Sequence, residues 1–217
     1  MKQSGSTGKH EFPQTTALQE IDIDMDQEKR LAEFLFEIGM LSLTKRSGYQ
    51  FLGSGGQSVA EHSHRAAAVG YILAIQCGAD PLKVLLMLLF HDLHEARTGD
   101  FNYVNKIYNT ADSERAMNDA LAGTGLEDIL MASWREFEEG GTLEARLARD
   151  ADQLDLIIDL KREMDLGNPY AGKWMQSALA RLKTEQAASL AQAIMGTDHT
   201  DWWRRGRPDS LWINGHE

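Results

Sequence analysis

"PLKVLLMLLFHDLHEARTGD", residues 81–100, decides the fold. Asp80 and Pro81 form a helix start, an acidic N-cap followed by the proline favoured in the first turn. Leu82, Leu85, Leu86 and Leu89 then recur at helical spacing, which predicts a buried stripe. Two histidines, two carboxylates and an arginine follow before Thr98 and Gly99 end the helix, and a third carboxylate, Asp100, comes directly after. Charged groups abutting an apolar helix are costly to bury unless they are paired or coordinated. A helix from Pro81 to Thr98 brings His91 and Glu95, and also Asp92 and Glu95, onto shared faces. An imidazole and two carboxylates suit a divalent cation bound through mixed nitrogen and oxygen donors, with further ligands from other helices. The order "HDLHE" is not the H-E-x-x-H zinc helix, because neither histidine has another four residues on.

Outward from this segment, helical patterns dominate. Leu31, Phe34, Leu35, Ile38 and Leu41 mark an amphipathic helix starting near Met25. The glycine-rich stretch 46–58 reads as a loop into a helix from Val59 to Cys77, which Gly78 ends. Further helices are expected at about 111–122, 126–138, 142–166 and 174–195, separated by glycine-containing breakers. No alternating strand pattern and no fixed repeat is visible. The fold class is therefore all-α, an orthogonal helical bundle that can point side chains from several helices at one place. Residues 1–20 read as a flexible N-terminal tail, 21–197 as the domain, and 198–217, with Trp202, Trp203 and Trp212, as a C-terminal extension.

The chain has 217 residues, with 22 Lys and Arg against 33 Asp and Glu, a formal net charge of -11. That balance disfavours nucleic acid and anionic membranes as partners, and a phosphate ligand needs a local cation. The lone Cys77 excludes an intrachain disulfide and fits a reducing compartment. The first residues lack the apolar stretch of a signal peptide, and "VLLMLLF" is too short to cross a bilayer. A soluble cytoplasmic protein is expected.

Ligand candidates outside the central segment come from two helices. His62 and His64 in "VAEHSHR" are two apart, so a helix turns them away from one another and spacing does not choose between them. In "ARDADQLDLIIDL", Asp152, Asp155 and Asp159 share a face, with Asp150 directed elsewhere. The ordinary reading of such a face is a solvated stripe.

Taken together, "KRSGYQFLGSGGQSVAEHSHRAA" (45–67), "LLFHDLHEARTGD" (88–100) and "ARDADQLD" (148–155) resemble the 5'-deoxynucleotidase branch of the HD-domain metal-dependent phosphohydrolases, over roughly Leu31 to Met164. The compound pattern SVAEHS, HDxxExxxGD and a later AD carries the resemblance. It implies that His62, His91, Asp92 and Asp152 hold one divalent metal. It implies catalytic roles for Glu95, at the attacking water and leaving group, and Asp100, near the sugar. It implies that Arg46 and an aromatic residue contact the nucleotide. Tyr49 stands where the family commonly carries tryptophan.

Two histidines and two carboxylates leave an octahedral ion partly open, which suits Mn²⁺, Co²⁺, Fe²⁺ or Mg²⁺ better than structural zinc. Glu95 can orient or deprotonate water, and Arg46 supplies the local positive charge, with Lys106 read as a surface lysine. The expected activity is phosphate release from (deoxy)nucleoside 5'-monophosphates. The alternatives are a dNTP triphosphohydrolase and a non-catalytic nucleotide-binding regulatory module. A two-metal phosphodiesterase needs more histidines, and none lies between Glu95 and Asp198. A small-molecule nucleotide is the expected partner, and the resemblance and the C-terminal tryptophans are compatible with a homodimer.

Overall fold

The computed structural model describes residues 25–206 and 213. Among these residues there are eleven α-helices and no strand: α1 (Met25–Gly39), α2 (Val59–Cys77), α3 (Pro81–Phe90), α4 (Glu95–Thr98), α5 (Asn105–Tyr108), α6 (Ser113–Leu121), α7 (Glu127–Glu139), α8 (Leu143–Asp165), α9 (Ala171–Ala180), α10 (Glu185–Met195) and α11 (Asp201–Arg204). The all-α helical bundle expected from periodicity is what forms. The N-terminal tail and Trp212 lie outside the described residues.

Helices α2, α3 and α8 form the centre. Ser58 opens α2 with a capping box: its Oγ accepts from the Glu61 amide at 3.2 Å, and the Glu61 carboxylate accepts from the Ser58 amide at 2.6 Å. Asp80 caps α3 by accepting from the amides of Leu82 and Lys83. A Cβ at Gly70 on α2 would come within 2.2 Å of Leu88 and 2.8 Å of Val84, so glycine is what lets α2 and α3 approach this closely. Leu147, Ala148, Ala151, Leu154, Ile157 and Leu160 of α8 are fully buried between them and α9 and α10. A second apolar cluster joins Phe34 of α1, Met117 and Leu121 of α6 and Leu130 and Trp134 of α7.

Two expected helices are broken. The leucine helix stops at Phe90, and the chain winds on through tight three-residue turns, with the amides of Leu93, Glu95 and Ala96 donating to the carbonyls of Phe90, Asp92 and Leu93. Leu93, 1% exposed, plugs the second apolar cluster. The turn therefore stands between two cores, which hold it in place. The 174–195 segment begins earlier, at Ala171, and divides at residues 181–184. Buried Asp150 causes the division: it accepts from the amides of Lys183 and Thr184, both at 2.8 Å, and from Thr184 Oγ at 2.6 Å. Within the glycine-rich loop a short 3-10 turn, Ser47–Phe51, forms as well.

Candidate metal centre

Side chains from three elements meet: His62, His91 and Asp92 form one close group, and Asp152 adjoins it through His62. His62 comes from the first turn of α2, His91 and Asp92 from the turn after α3, and Asp152 from the middle of α8. Nε2 of His62 lies 3.3 Å from Nε2 of His91, 3.6 Å from Asp92 Oδ2 and 3.2 Å from Asp152 Oδ1. Nε2 of His91 lies 3.1 Å from Asp92 Oδ2. Both imidazoles are buried, while His64 is exposed.

The far nitrogens settle the tautomers. Nδ1 of His91 faces the Leu88 carbonyl at 3.0 Å, and a carbonyl only accepts, so this nitrogen carries a proton. Nδ1 of His62 likewise donates to Asp155 Oδ2 at 2.6 Å. In the neutral imidazoles both Nε2 lone pairs then point at one another and at two carboxylates. Such a cluster calls for positive charge at its centre. Ligands bound about 2 Å from one ion stand about 3 Å apart, close to the spacing of His62, His91 and Asp92, with Asp152 at that distance from His62. The donor set fits a divalent cation.

Without a cation, protons take that place. Burial opposes protonation of His91, yet Asp92 and Asp152 outweigh it and raise its pKa to about 9. His62 moves upward against burial and Arg46, through its hydrogen bonds with Asp152 and Asp155. Asp92 and Asp152 are held well below the usual carboxylate range: burial opposes this, but the two histidines and Arg46 prevail.

The cluster opens into a cavity of about 240 Å³ lined also by Arg46, Tyr49, Glu95, Asp100, Lys106 and Trp174. Arg46 Nη1 lies 3.4 Å from Asp92 Oδ2. Glu95 shares the cavity, and its Oε2 is buried without a hydrogen-bond partner. Burial, with the charges of Asp92 and Asp100, pushes its carboxyl up to about 9. The tight turn accounts for the alignment of Asp92 with Glu95, since residues three apart eclipse when the chain winds three per turn. Gly99, at φ 74°, lets the chain leave α4 so that Asp100 returns, and Asp100 Oδ2 accepts from the Ser47 amide at 2.7 Å. Asp100 thereby ties the Arg46 loop to the end of α4. Tyr49 donates its hydroxyl to Asp159, also at the cavity.

A supporting layer behind His62 is not legible from spacing. Asp155, 0% exposed, takes the Gln57 side-chain amide at 3.1 Å and Arg65 Nε at 2.5 Å besides His62, and Arg65 reaches Asp159 at 2.6 Å. Asp155 and Asp159 are thus buried and paired, not a solvated stripe. The available signal is that Arg65 stands three residues after His62, on the same face of α2. His94 sits outside the cluster, its ring 6.3 Å from that of Trp134, and Arg97 pairs with Glu37.

The HD domain family is matched over residues 38–195, most of the chain. The chain belongs to the HD domain family. As an HD-domain phosphohydrolase it resembles the 5'-deoxynucleotidase HDDC2 of Dictyostelium discoideum, 30% identical over 140 residues that span 58% of this chain and 73% of that one. The mouse 5'-deoxynucleotidase HDDC2 is 26% identical over 186 residues, 75% of this chain and 92% of that one. Among solved structures, a predicted metal-dependent phosphohydrolase from Magnetospirillum magnetotacticum superposes with a TM-score of 0.59 at 25% identity, covering 85% of this chain and 97% of that one. A conserved hypothetical protein from Pyrococcus furiosus gives 0.63 at 27% identity, covering 76% and 97%. The HD-domain match begins before Arg46 and ends after α8, so it contains every residue of the cluster.

Proposed function

We propose that this HD-domain protein hydrolyses nucleoside 5'-monophosphates, deoxynucleotides among them, to nucleoside and inorganic phosphate, with one divalent cation held by His62, His91, Asp92 and Asp152. The observation that carries the reading is the pair of imidazoles whose far nitrogens are both committed as donors, leaving Nε2 of each 3.3 Å apart beside Asp92 and Asp152. The names of the HDDC2 relatives supply the substrate class. Two nitrogen and two oxygen ligands leave room on an octahedral ion, so Mn²⁺, Co²⁺, Fe²⁺ or Mg²⁺ is the expected cofactor. Such an ion supplies an activated water and offsets charge on the phosphoryl group.

Arg46 binds a phosphate oxygen, which its planar guanidinium suits. Glu95 is the proton-transfer group: its unpartnered oxygen lies in the cavity, and its carboxyl is raised by burial and by Asp92. Offsetting the charge of Asp92 lowers the Glu95 pKa, and its ionised carboxylate would take a proton from water and pass it to the departing 5' oxygen. Asp100 and Tyr49 line the sugar side, and the Ser47 contact of Asp100 keeps Arg46 in register with Asp92. The proposal includes a cytoplasmic location and one catalytic unit over residues 21–197. No described helix is long and apolar enough to cross a membrane.

The test is phosphate release from ribo- and deoxyribonucleoside mono-, di- and triphosphates with Mn²⁺, Co²⁺ and Mg²⁺. Orthophosphate from monophosphates is expected. Inorganic triphosphate from dNTPs would replace the reading by a triphosphohydrolase, and no release from any nucleotide with any metal would overturn it.

A further inference from the structure

Much of the cavity wall is aromatic, which neither a phosphate nor its cation requires. Trp174 of α9 lines the cavity and is only partly buried. Tyr103, which also lines it, meets the indole edge-on, with centroids 6.2 Å apart and planes at 80°. Phe51 meets it at 5.9 Å and 57°. Neither ring lies parallel over the indole, so no internal partner stacks on it. Tyr103 and Phe51 are 59% and 41% exposed, an aromatic surface that folding alone leaves unused.

The position of the indole is built. A Cβ at Gly48 would lie 3.3 Å from Cζ3 and Cη2 of Trp174, so glycine allows the ring to rest on the loop that carries Arg46. Gly48 is two residues from Arg46, so the indole rests on the same loop as the phosphate-binding guanidinium and lines the same cavity. The side-chain amides at the cavity each make internal hydrogen bonds, Gln57 to Asp155 at 3.1 Å among them. Gln153 donates to Asp152 at 2.9 Å and accepts from Arg181 at 2.6 Å. Asn102 donates to Gln50 at 3.3 Å and accepts from the amides of Val104 and Asn105. The indole face of Trp174 is the planar apolar surface the cavity offers to a flat ligand.

We propose that Trp174, flanked by Tyr103 and Phe51, is the platform on which the nucleobase of the substrate stacks. This rests on the nucleotide phosphohydrolase reading for the substrate, while the platform itself is testable without turnover.

The experiment compares the wild type with Trp174→Leu and Trp174→Phe, each loaded with the same metal. Substrates are a purine and a pyrimidine deoxynucleoside 5'-monophosphate, with 2-deoxyribose 5-phosphate as the substrate lacking a base. Loss of a base stack predicts that Trp174→Leu raises KM for both nucleotides about tenfold or more. Its kcat and its KM for deoxyribose phosphate stay near wild type, and Trp174→Phe keeps most of the affinity. Deoxyadenosine alone quenches wild-type tryptophan fluorescence, and that quenching disappears in Trp174→Phe. An unchanged nucleotide KM in Trp174→Leu, an equal rise for the baseless substrate, or quenching that persists in Trp174→Phe would each overturn the platform. Absence of all nucleotide turnover with the Trp174-dependent quenching intact would overturn the hydrolase reading and leave the platform standing.

Discussion

Asp155 Oδ2 stands 2.6 Å from Nδ1 of His62, on the side of the imidazole away from the cavity. The contact holds the ring in one orientation and keeps the proton on the nitrogen that cannot serve as a ligand. Arg65 and Gln57 hold Asp155 in turn, so the bond is part of a packed network and not an isolated pair.

Removing that carboxylate weakens the cation site from behind. Asp155→Ala is expected to lower divalent-cation affinity about 10- to 100-fold. Arg65 keeps its pair with Asp159, but the buried Nδ1 proton of His62 loses its acceptor, at a cost of about 1–3 kcal/mol. Asp155→Asn, whose side-chain oxygen can still accept from His62, keeps more of both. Calorimetric titration with Mn²⁺ and thermal melts of the cation-free proteins measure the two effects separately. Equal affinity in wild type and Asp155→Ala would remove the positioning role.

The cation-free protein loses stability as pH rises. His91 has its pKa raised from 6.5 to about 9, so its contribution is full below 6.5 and is lost as pH climbs through about 9. Glu95 is raised from 4.5 to about 9 by burial and its carboxylate neighbours, so in this interval the folded state holds a proton that the unfolded state releases. Both groups give the same sign. Melting temperature of the cation-free protein should fall between pH 6 and about 9, whereas the stabilisation by added cation should grow as His91 gives up its proton. Glu95→Gln flattens the first trend. A cation-free melting temperature that rises over this interval would contradict the assignment.

Asp150 has a structural task distinct from that of Asp152, two residues on. Its three hydrogen bonds bind the start of α10 to α8. Asp150→Ala leaves two backbone amides without their acceptor and should cost about 2 kcal/mol or more of stability. Cation affinity of the folded protein should stay at the wild-type value. Denaturant melts beside cation titration check both, and wild-type stability in the variant would show that α10 needs no such tie.

Helix order was legible because the caps are local, but the buried face of α3 is Val84, Met87 and Leu88, while Leu82 and Leu89 of the expected stripe are exposed. Ser58 with Glu61, and Asp80 with Pro81, announce helix starts that the backbone then makes. The break at His91 was hidden, because the leucine stripe continues through Leu93 and only the second apolar cluster, assembled from α1, α6 and α7, draws Leu93 out of helical line. The break after Ala180 was hidden for a similar reason: the acceptor that ends the segment, Asp150, lies some 30 residues earlier in the chain. Periodicity left His62 and His64 undecided, and the backbone buries the first and exposes the second. The aspartates of α8 were the hardest to read. An i, i+3, i+7 acidic face looks solvated until Arg65 and His62 are set against it across the helix pair.

The central claim is that His62, His91, Asp92 and Asp152 together hold one cation. It is tested most directly by titrating Mn²⁺ or Co²⁺ into the cation-free wild type and into Asp92→Ala by calorimetry. The account predicts one equivalent bound by the wild type and an affinity for Asp92→Ala reduced by about 100-fold or more, beyond the effect of a supporting residue. Equal stoichiometry and affinity in the two proteins would contradict it.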